Sequence, residues 1–533
     1  MNSEMTVLKM SDDFGSAAYE RFLDLCASRG CDSSPLGDGR ELRIRRVDQE
    51  TRGSSQHLDD GIHPQHAHTD ESYTITGEEE AQTLEILAST ENGVFRALCA
   101  IAMNPRPASG LIGTHIPVYP WRALSLDVAR YQASPSEIES VIDLAALQGL
   151  SALHLHLSDH QSWRVPVEGF EALSEGGAFS WADLEELGEY ARRRYITIIP
   201  EIDMPGHCAS LLRTYPELSG RSSFAHPFVS YIDVHQQRSR RFLESCVDSL
   251  ARIATGPYIH IGGDEVLGMP EQDYDKAITI MGDHAHHRGC KVIAWQEACR
   301  ATFTADAYQY WMADEDIPSE ESLLKEWPDE FASVAHQAAV MYAQCRDDLE
   351  RIRSKGAALI DSRQSYLYLD RRYAERSGRE GQNIRLRSLG FPGYEAKDSM
   401  EVLQWSPLER SEVAQGVIAG HTDGIEAALW TETVRSLSDM TMLLLPRLSM
   451  VSSLSWRTTP LRHSDAPGTS KREQVLTRIR RQLANSAGAW ERFGYDDYYR
   501  SSSVFDGSAA PRTARPAVDK VGHPHADCAS GRQ

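Results

Sequence analysis

From Trp121 to Trp490 the chain alternates short apolar runs with amphipathic stretches, and that rhythm restricts the fold more than any other feature of the sequence. Runs over 124–128, 152–157, 196–201, 258–261, 291–295, 307–311, 357–360 and 424–429 have the length and composition of buried strands. Helical periodicity fills the gaps, as over 134–147 and 181–194. The first of these opens Ser134-Pro-Ser-Glu137 and the second follows Ser180, both N-cap signatures. Eight β-then-α units predict an α/β fold, a (β/α)8 TIM barrel, whose active site lies at the carboxyl ends of the strands. The barrel is assigned to 116–498, with the periodic stretch 472–490 completing its outer helical ring. Ahead of it, 1–115 predicts a smaller α+β domain, in which 41–46 and 81–88 alternate like strands and 93–103 reads as a helix. His63, His66 and His68 fall in the polar stretch 48–72 and read as incidental loop histidines. The Ser-, Ala-, Pro- and Gly-rich segment 499–533 predicts a disordered tail.

The fourth run ends in Tyr258-Ile-His-Ile-Gly-Gly-Asp-Glu-Val266, so two adjacent carboxylates, Asp264 and Glu265, leave a buried strand. Neighbours in an extended chain point to opposite faces, and only a sharp turn at Gly262-Gly263 lets both side chains reach one ligand. The alternative is a solvated acidic pair capping the next helix. Other chemistry-bearing residues follow the same placement. Asp127 and Arg130, Asp159, Glu201 to His207, Trp295, Trp311, and Trp430 to Glu432 all stand at or just beyond a predicted strand end, so they converge on one mouth.

Charge narrows the partner. With 55 basic against 77 acidic residues and a net charge of −22, the chain is ill suited to nucleic acid or an anionic membrane surface. A neutral small substrate fits better, and nothing in the sequence specifies an oligomeric state. The first ten residues lack a basic segment followed by an apolar core, and no run approaches the ~20 apolar residues of a membrane helix. Nine scattered cysteines suit reduced thiols, so a cytoplasmic location without disulfides is the expectation. Cys208 reads as a small buried residue.

The acidic pair does not stand alone. Leu126-Asp-Val-Ala-Arg130, Leu153-His-Leu-His-Leu-Ser-Asp159, Pro200-Glu-Ile-Asp-Met-Pro-Gly-His207, Ala294-Trp-Gln-Glu297, Tyr368-Leu-Asp370 and Ala428-Leu-Trp-Thr-Glu432 surround it in order. Together with Gly262-Gly-Asp-Glu265 they resemble family 20 glycoside hydrolases, the β-N-acetylhexosaminidases, from Trp121 to about Trp456. The resemblance implies a retaining exo-enzyme releasing terminal N-acetylglucosamine, with N-acetylgalactosamine as a second candidate, without metal or other cofactor. It makes Glu265 the general acid and the substrate's own acetamide oxygen the nucleophile, giving an oxazolinium intermediate. Families of this kind depart from the two-carboxylate nucleophile scheme. Asp264 then orients the acetamide, Tyr368 hydrogen-bonds its oxygen, and His207 with Asp159 tunes the acid. Trp295, Trp311 and Trp430 are the implied walls of the sugar pocket, with Arg130 and Glu432 at the 3- and 4-hydroxyls and Asp370 at the 6-hydroxyl. An acid protonated near neutrality needs its pKa raised, by burial or by the charge of Asp264.

Two other functions compete. His154-Leu-His156-Leu-Ser-Asp159-His160 resembles the His-x-His-x-Asp-His motif of metal-dependent hydrolases, with one extra residue before the aspartate. A non-catalytic carbohydrate-binding protein on the same fold would keep the tryptophans and lose an acid, which the intact Asp264-Glu265 pair argues against. Against the family pattern, Tyr131, His160, Gln296 and Phe391 are departures that bear on substrate preference.

Overall fold

The computed structural model describes residues 7–10, 13–31, 41–48, 62–65, 70–77, 83–104, 111–221, 229–326, 332, 334–406, 408, 422–456 and 470–505. His66 and His68 lie outside these residues, as does 506–533.

The amino-terminal part is a five-stranded sheet of β1 (Val7–Met10), β2 (Glu41–Arg46), β3 (Tyr73–Thr76), β4 (Thr83–Ala88) and β5 (Gly113–His115). The order is β1-β2-β4-β3-β5, parallel up to β4 and antiparallel beyond. The strand expected at 41–46 is found residue for residue, and the helix expected at 93–103 runs Glu91–Met103. Thr90 caps that helix by accepting from the Gly93 amide. The module is fastened to the barrel by Glu71, whose two oxygens each take an arginine at 2.7 Å, Arg96 from the helix and Arg122 from the first barrel strand. All three are buried.

The barrel closes in sequence order through β6 (Trp121–Asp127), β7 (Ala152–His156), β8 (Thr197–Glu201), β9 (Tyr258–His260), β10 (Lys291–Trp295), β11 (Ala307–Tyr310), β12 (Ala358–Asp361) and β13 (Gly424–Leu429), with β13 pairing β6. Each expected strand is present, and β10 and β13 match to the residue. Strands covered by helices outside and side chains inside are buried on both faces. They therefore read as continuous apolar runs rather than alternating ones; all seven residues of β6 are buried. Pro135–Leu147 and Trp181–Arg193 open with full capping boxes at Ser134 and Ser180.

Inside the barrel an apolar plug of Trp121, Ala123, Ala152, Ile199, Tyr258, Ile293, Ala307 and Ile360 lies on the amino side. Above it sits a buried polar layer. His154 is 2.8 Å from Glu426, and Glu201 lies 2.9 Å from His260 Nδ1 and accepts from the Trp295 indole at 2.7 Å. Burying these groups is tolerable only because they pair with one another. One expectation needs correcting. Within the predicted tail, Ser502–Phe505 is a helical turn, Ser501 and Val504 are buried, and Tyr499 stacks on Tyr373 at 3.9 Å. The aromatic residues before it supply the packing surface that low-complexity composition hides.

Candidate active site

The turn after β9 places the acidic pair. Gly262 and Gly263 have φ of 74° and 106°, and a Cβ on Gly262 would overlap the Oδ1 and Cα of Asp203. Only glycine fits there, and the close approach lets the Gly263 amide donate to Asp203 at 2.9 Å. Gly262→Ala is expected to destabilise the protein by about 2 kcal/mol or more, from overpacking together with left-handed backbone. Calorimetry of the variant checks this. Glu265 and His207 themselves hold left-handed φ of 49° and 44°, strain that gathers where side chains must be aimed.

The turn brings Asp264 and Glu265 to one side of His207, whose Nε2 lies 4.0 Å from Asp264 and 3.4 Å from Glu265 Oε2. Its Nδ1 is 3.1 Å from Asp159 Oδ2. That same oxygen is 2.7 Å from Arg130 Nη2 and 3.0 Å from His156 Nε2. One carboxylate thus ties together the first, second and third strand ends, and Asp159, His207 and Glu265 follow one another at ion-pair distances.

Beyond the pair lies an aromatic cluster of Trp295, Trp311, Tyr342, Tyr368 and Trp430. Trp311 and Tyr368 are parallel, with centroids 6.2 Å apart and planes at 6°, and Trp430 stands edge-on to Tyr368 at 5.8 Å. The Arg130 guanidinium sits 5.1 Å over Trp430. Trp295 differs from the expectation of a wall. It is fully buried with its N–H on Glu201, so it forms the floor under Trp430, 5.9 Å away. Asp370 is 1% exposed and neither carboxylate oxygen has a protein partner; Asp264 Oδ1, Glu297 Oε1 and Arg130 Nε share that condition. Buried polar atoms without partners are rare, and several around one pocket mark a place where a polar ligand completes the hydrogen bonding. Glu432 and Asp370 both sit above the usual carboxyl range, Asp370 through burial and then the charge of Glu432, and Glu432 first through burial.

The chain from 119 to 459 matches the model of the glycosyl hydrolase family 20 catalytic domain. The chain belongs to glycosyl hydrolase family 20. It is a glycoside hydrolase. Curated relatives include a β-N-acetylhexosaminidase of Cellulomonas fimi, 28% identical over 71% of this chain and 69% of its own length. A β-hexosaminidase of Akkermansia muciniphila is 25% identical over 64% and 69%. Among solved structures, the family 20 β-N-acetylhexosaminidase of Streptomyces coelicolor A3(2) shares the fold with a TM-score of 0.68 at 23% identity, covering 95% of this chain and 94% of that one. The Streptomyces plicatus enzyme in complex with Thio-NAglucal aligns with a TM-score of 0.64 at 23% identity over 95% and 94%.

In this family 20 site the electrostatics correct one expectation. Burial raises the Glu265 carboxyl, but the hydrogen bond and charge of His207 and the hydroxyl of Tyr342 outweigh it, so Glu265 sits below its usual pKa. The carboxyl held well above its usual value is Asp264, through burial and then Asp203. Burial lowers the His207 pKa, yet Asp159, Asp203 and Asp264 more than reverse this and keep it an imidazolium. Burial and then the charge of Asp264 push Glu297 up to about 8.

The four residues of the rival metal reading do not form one ligand set. His154 pairs with Glu426 and Glu201, His156 bridges Glu201 and Asp159, and His160 stacks on His207 at 4.9 Å. Among the described residues the ligand-bearing atoms that do approach one another split that set: His154 groups with Glu201 and His260, His156 with Glu201 and Asp203, and Asp159 and His160 with His207 beside the acidic pair. Cys208 is buried and its thiol is pushed up to about 12, first by burial.

The departures find local reasons. Tyr131 turns its hydroxyl to Glu137 at 2.7 Å, and Gln296 accepts from the amides of Trp311 and Met312 at 2.9 and 2.8 Å, fixing that wall. Phe391 packs on Tyr394 at 4.9 Å, which in turn meets Tyr368 at 6.0 Å. Sequence reasoning missed Asp203, Tyr342 and Tyr394 as site residues. Asp203 lies inside the Pro200 to His207 block, whereas neither tyrosine has a motif.

Proposed function

We propose that this β-N-acetylhexosaminidase releases terminal β-linked N-acetylglucosamine, and N-acetylgalactosamine as a second substrate, from small oligosaccharides with retention, the substrate's acetamide acting as nucleophile. The observation that carries this reading is the placing of both members of the adjacent pair against one histidine. A double displacement on enzyme carboxylates uses two groups facing each other across the sugar ring, whereas these two leave one turn as chain neighbours beside the same imidazole.

The protonated form of Glu265, the one that reacts, gives its proton to the glycosidic oxygen while the acetamide oxygen attacks C1 and the C1–O bond breaks, leaving a bicyclic oxazolinium and a free alcohol. Glu265 then takes a proton from water, which opens the ring at C1 and restores the β configuration. Asp264 receives the acetamide N–H. The proton that burial and charge repulsion hold between Asp203 and Asp264 rests on Asp203 once the cationic ring forms, leaving Asp264 ionised against it. Tyr368 bonds the acetamide oxygen between Trp311 and Trp430, over Trp295. Arg130, Glu432 and Asp370 take the ring hydroxyls, and the unpaired atoms of Arg130 and Asp370 find partners there.

Purified protein is expected to release nitrophenol from nitrophenyl β-N-acetylglucosaminide, at the same rate after exhaustive EDTA treatment. His156 already spends both ring nitrogens on Glu201 and Asp159, and His154 bonds Glu426 through Nδ1 with its Nε2 3.2 Å from Glu201. Loss of activity restored by zinc would favour the metal reading instead.

A further inference from the structure

We propose that Tyr342, carried by the helix Ala335–Ala343 between β11 and β12, is a positioning residue for the general acid, its hydroxyl gripping Glu265 more tightly as Glu265 gives up its proton to the departing sugar. The Tyr342 hydroxyl donates to Glu265 Oε1 at 2.6 Å, while His207 Nε2 stands 3.4 Å from Oε2. The two oxygens of the acid are thereby divided between the relay behind it and a helix from a different part of the barrel. Packing holds the Tyr342 ring in place, since it is buried in one cluster with Leu323, Ala335 and Ala338 and lies edge-on to Trp311 at 6.4 Å.

A phenol donates weakly to a neutral carboxylic acid and strongly to a carboxylate. As the Glu265 proton moves to the glycosidic oxygen and the C1–O electron pair leaves with it, Tyr342 keeps its own proton and its hydrogen bond strengthens. An interaction that grows toward the transition state lowers the barrier. The benefit should be confined to leaving groups that need the proton. A sugar alcohol does; a nitrophenol does not.

In the free enzyme the same bond, with His207 and Arg130, favours ionised Glu265 against burial and Asp264, and His160, Tyr368 and Tyr394 complete the titratable groups around it. Removing the hydroxyl therefore raises the proton affinity of Glu265, and the basic limb of kcat/KM moves to higher pH.

The inference rests on Glu265 being the general acid, so the test runs Tyr342→Phe beside Glu265→Gln. The readout is the pH profile of kcat/KM on a β-linked N-acetylglucosamine disaccharide and on nitrophenyl β-N-acetylglucosaminide. Tyr342→Phe is expected to lose about 10- to 100-fold on the disaccharide, the size of a hydrogen bond to a charged group, several times less on the nitrophenyl substrate, with the basic limb shifted upward. Equal losses on both substrates, or an unmoved limb, overturn the role of Tyr342. If Glu265→Gln keeps the leaving-group contrast, only the tyrosine's role has failed; if it too loses the contrast, the acid assignment has failed. Should the phenylalanine variant not fold, Tyr342→Met removes the donor while filling the space, and the same two outcomes decide.

Discussion

Glu265→Gln is expected to lower kcat/KM for a β-linked N-acetylglucosamine disaccharide by roughly 10²- to 10⁴-fold, the usual worth of a positioned general acid. The fall on a nitrophenyl glycoside should be far smaller. The amide keeps the size of the side chain and can still meet Tyr342 and His207, but it has no proton to give. The low pKa of Glu265 in the free enzyme bears on this contrast. His207 as an imidazolium and Tyr342 as a donor both favour the carboxylate, so the enzyme is poised to stabilise the product of proton transfer. Steady-state kinetics on the two substrates measures the split, and equal losses would remove Glu265 from the role of acid.

Asp264→Asn should cost about 10²- to 10³-fold in kcat on both substrates, the magnitude found when one preorganised charge-stabilising group is removed. It should differ from Glu265→Gln in showing no leaving-group contrast, because Asp264 acts on the acetamide and not on the departing oxygen. An asparagine cannot balance the positive charge of the oxazolinium, nor share a proton with Asp203. If Asp264 were the nucleophile, a fluorosugar lacking the acetamide would leave a glycosyl ester on it, visible as added mass on the peptide carrying the residue. Finding that ester contradicts the substrate-assisted reading.

The barrel is legible because its strands are buried on both faces and bounded by helices with capping signals, so 291–295 and 424–429 match to the residue. Much of the site is legible for a related reason: strand ends in a barrel must converge, and the motif blocks fall at those ends. The amino-terminal sheet is harder. Tyr73–Thr76 and Gly113–His115 are too short for alternation to register. Tyr342 stands 77 residues from the carboxylate it touches, on a helix whose sequence, Ala335–Ala343, carries no polar pattern of its own. The direction of the Glu265 shift escapes the sequence for the same reason. It is a sum over His207, Tyr342, Arg130 and burial, and of these donors only His207 is placed beside the acid by its motif. Trp295 illustrates a further limit, since position at a strand end does not separate a pocket wall from the floor beneath it.

Whether the acetamide is the nucleophile, in a site shaped for the bicyclic intermediate, is decided by one inhibition constant. A thiazoline analogue of N-acetylglucosamine, which has the shape and ring nitrogen of the oxazolinium, should inhibit the wild-type enzyme competitively. It should bind at least about 10²-fold more tightly than N-acetylglucosamine itself, as analogues of high-energy states do. An inhibition constant no better than that of the free sugar would rule out the acetamide as nucleophile.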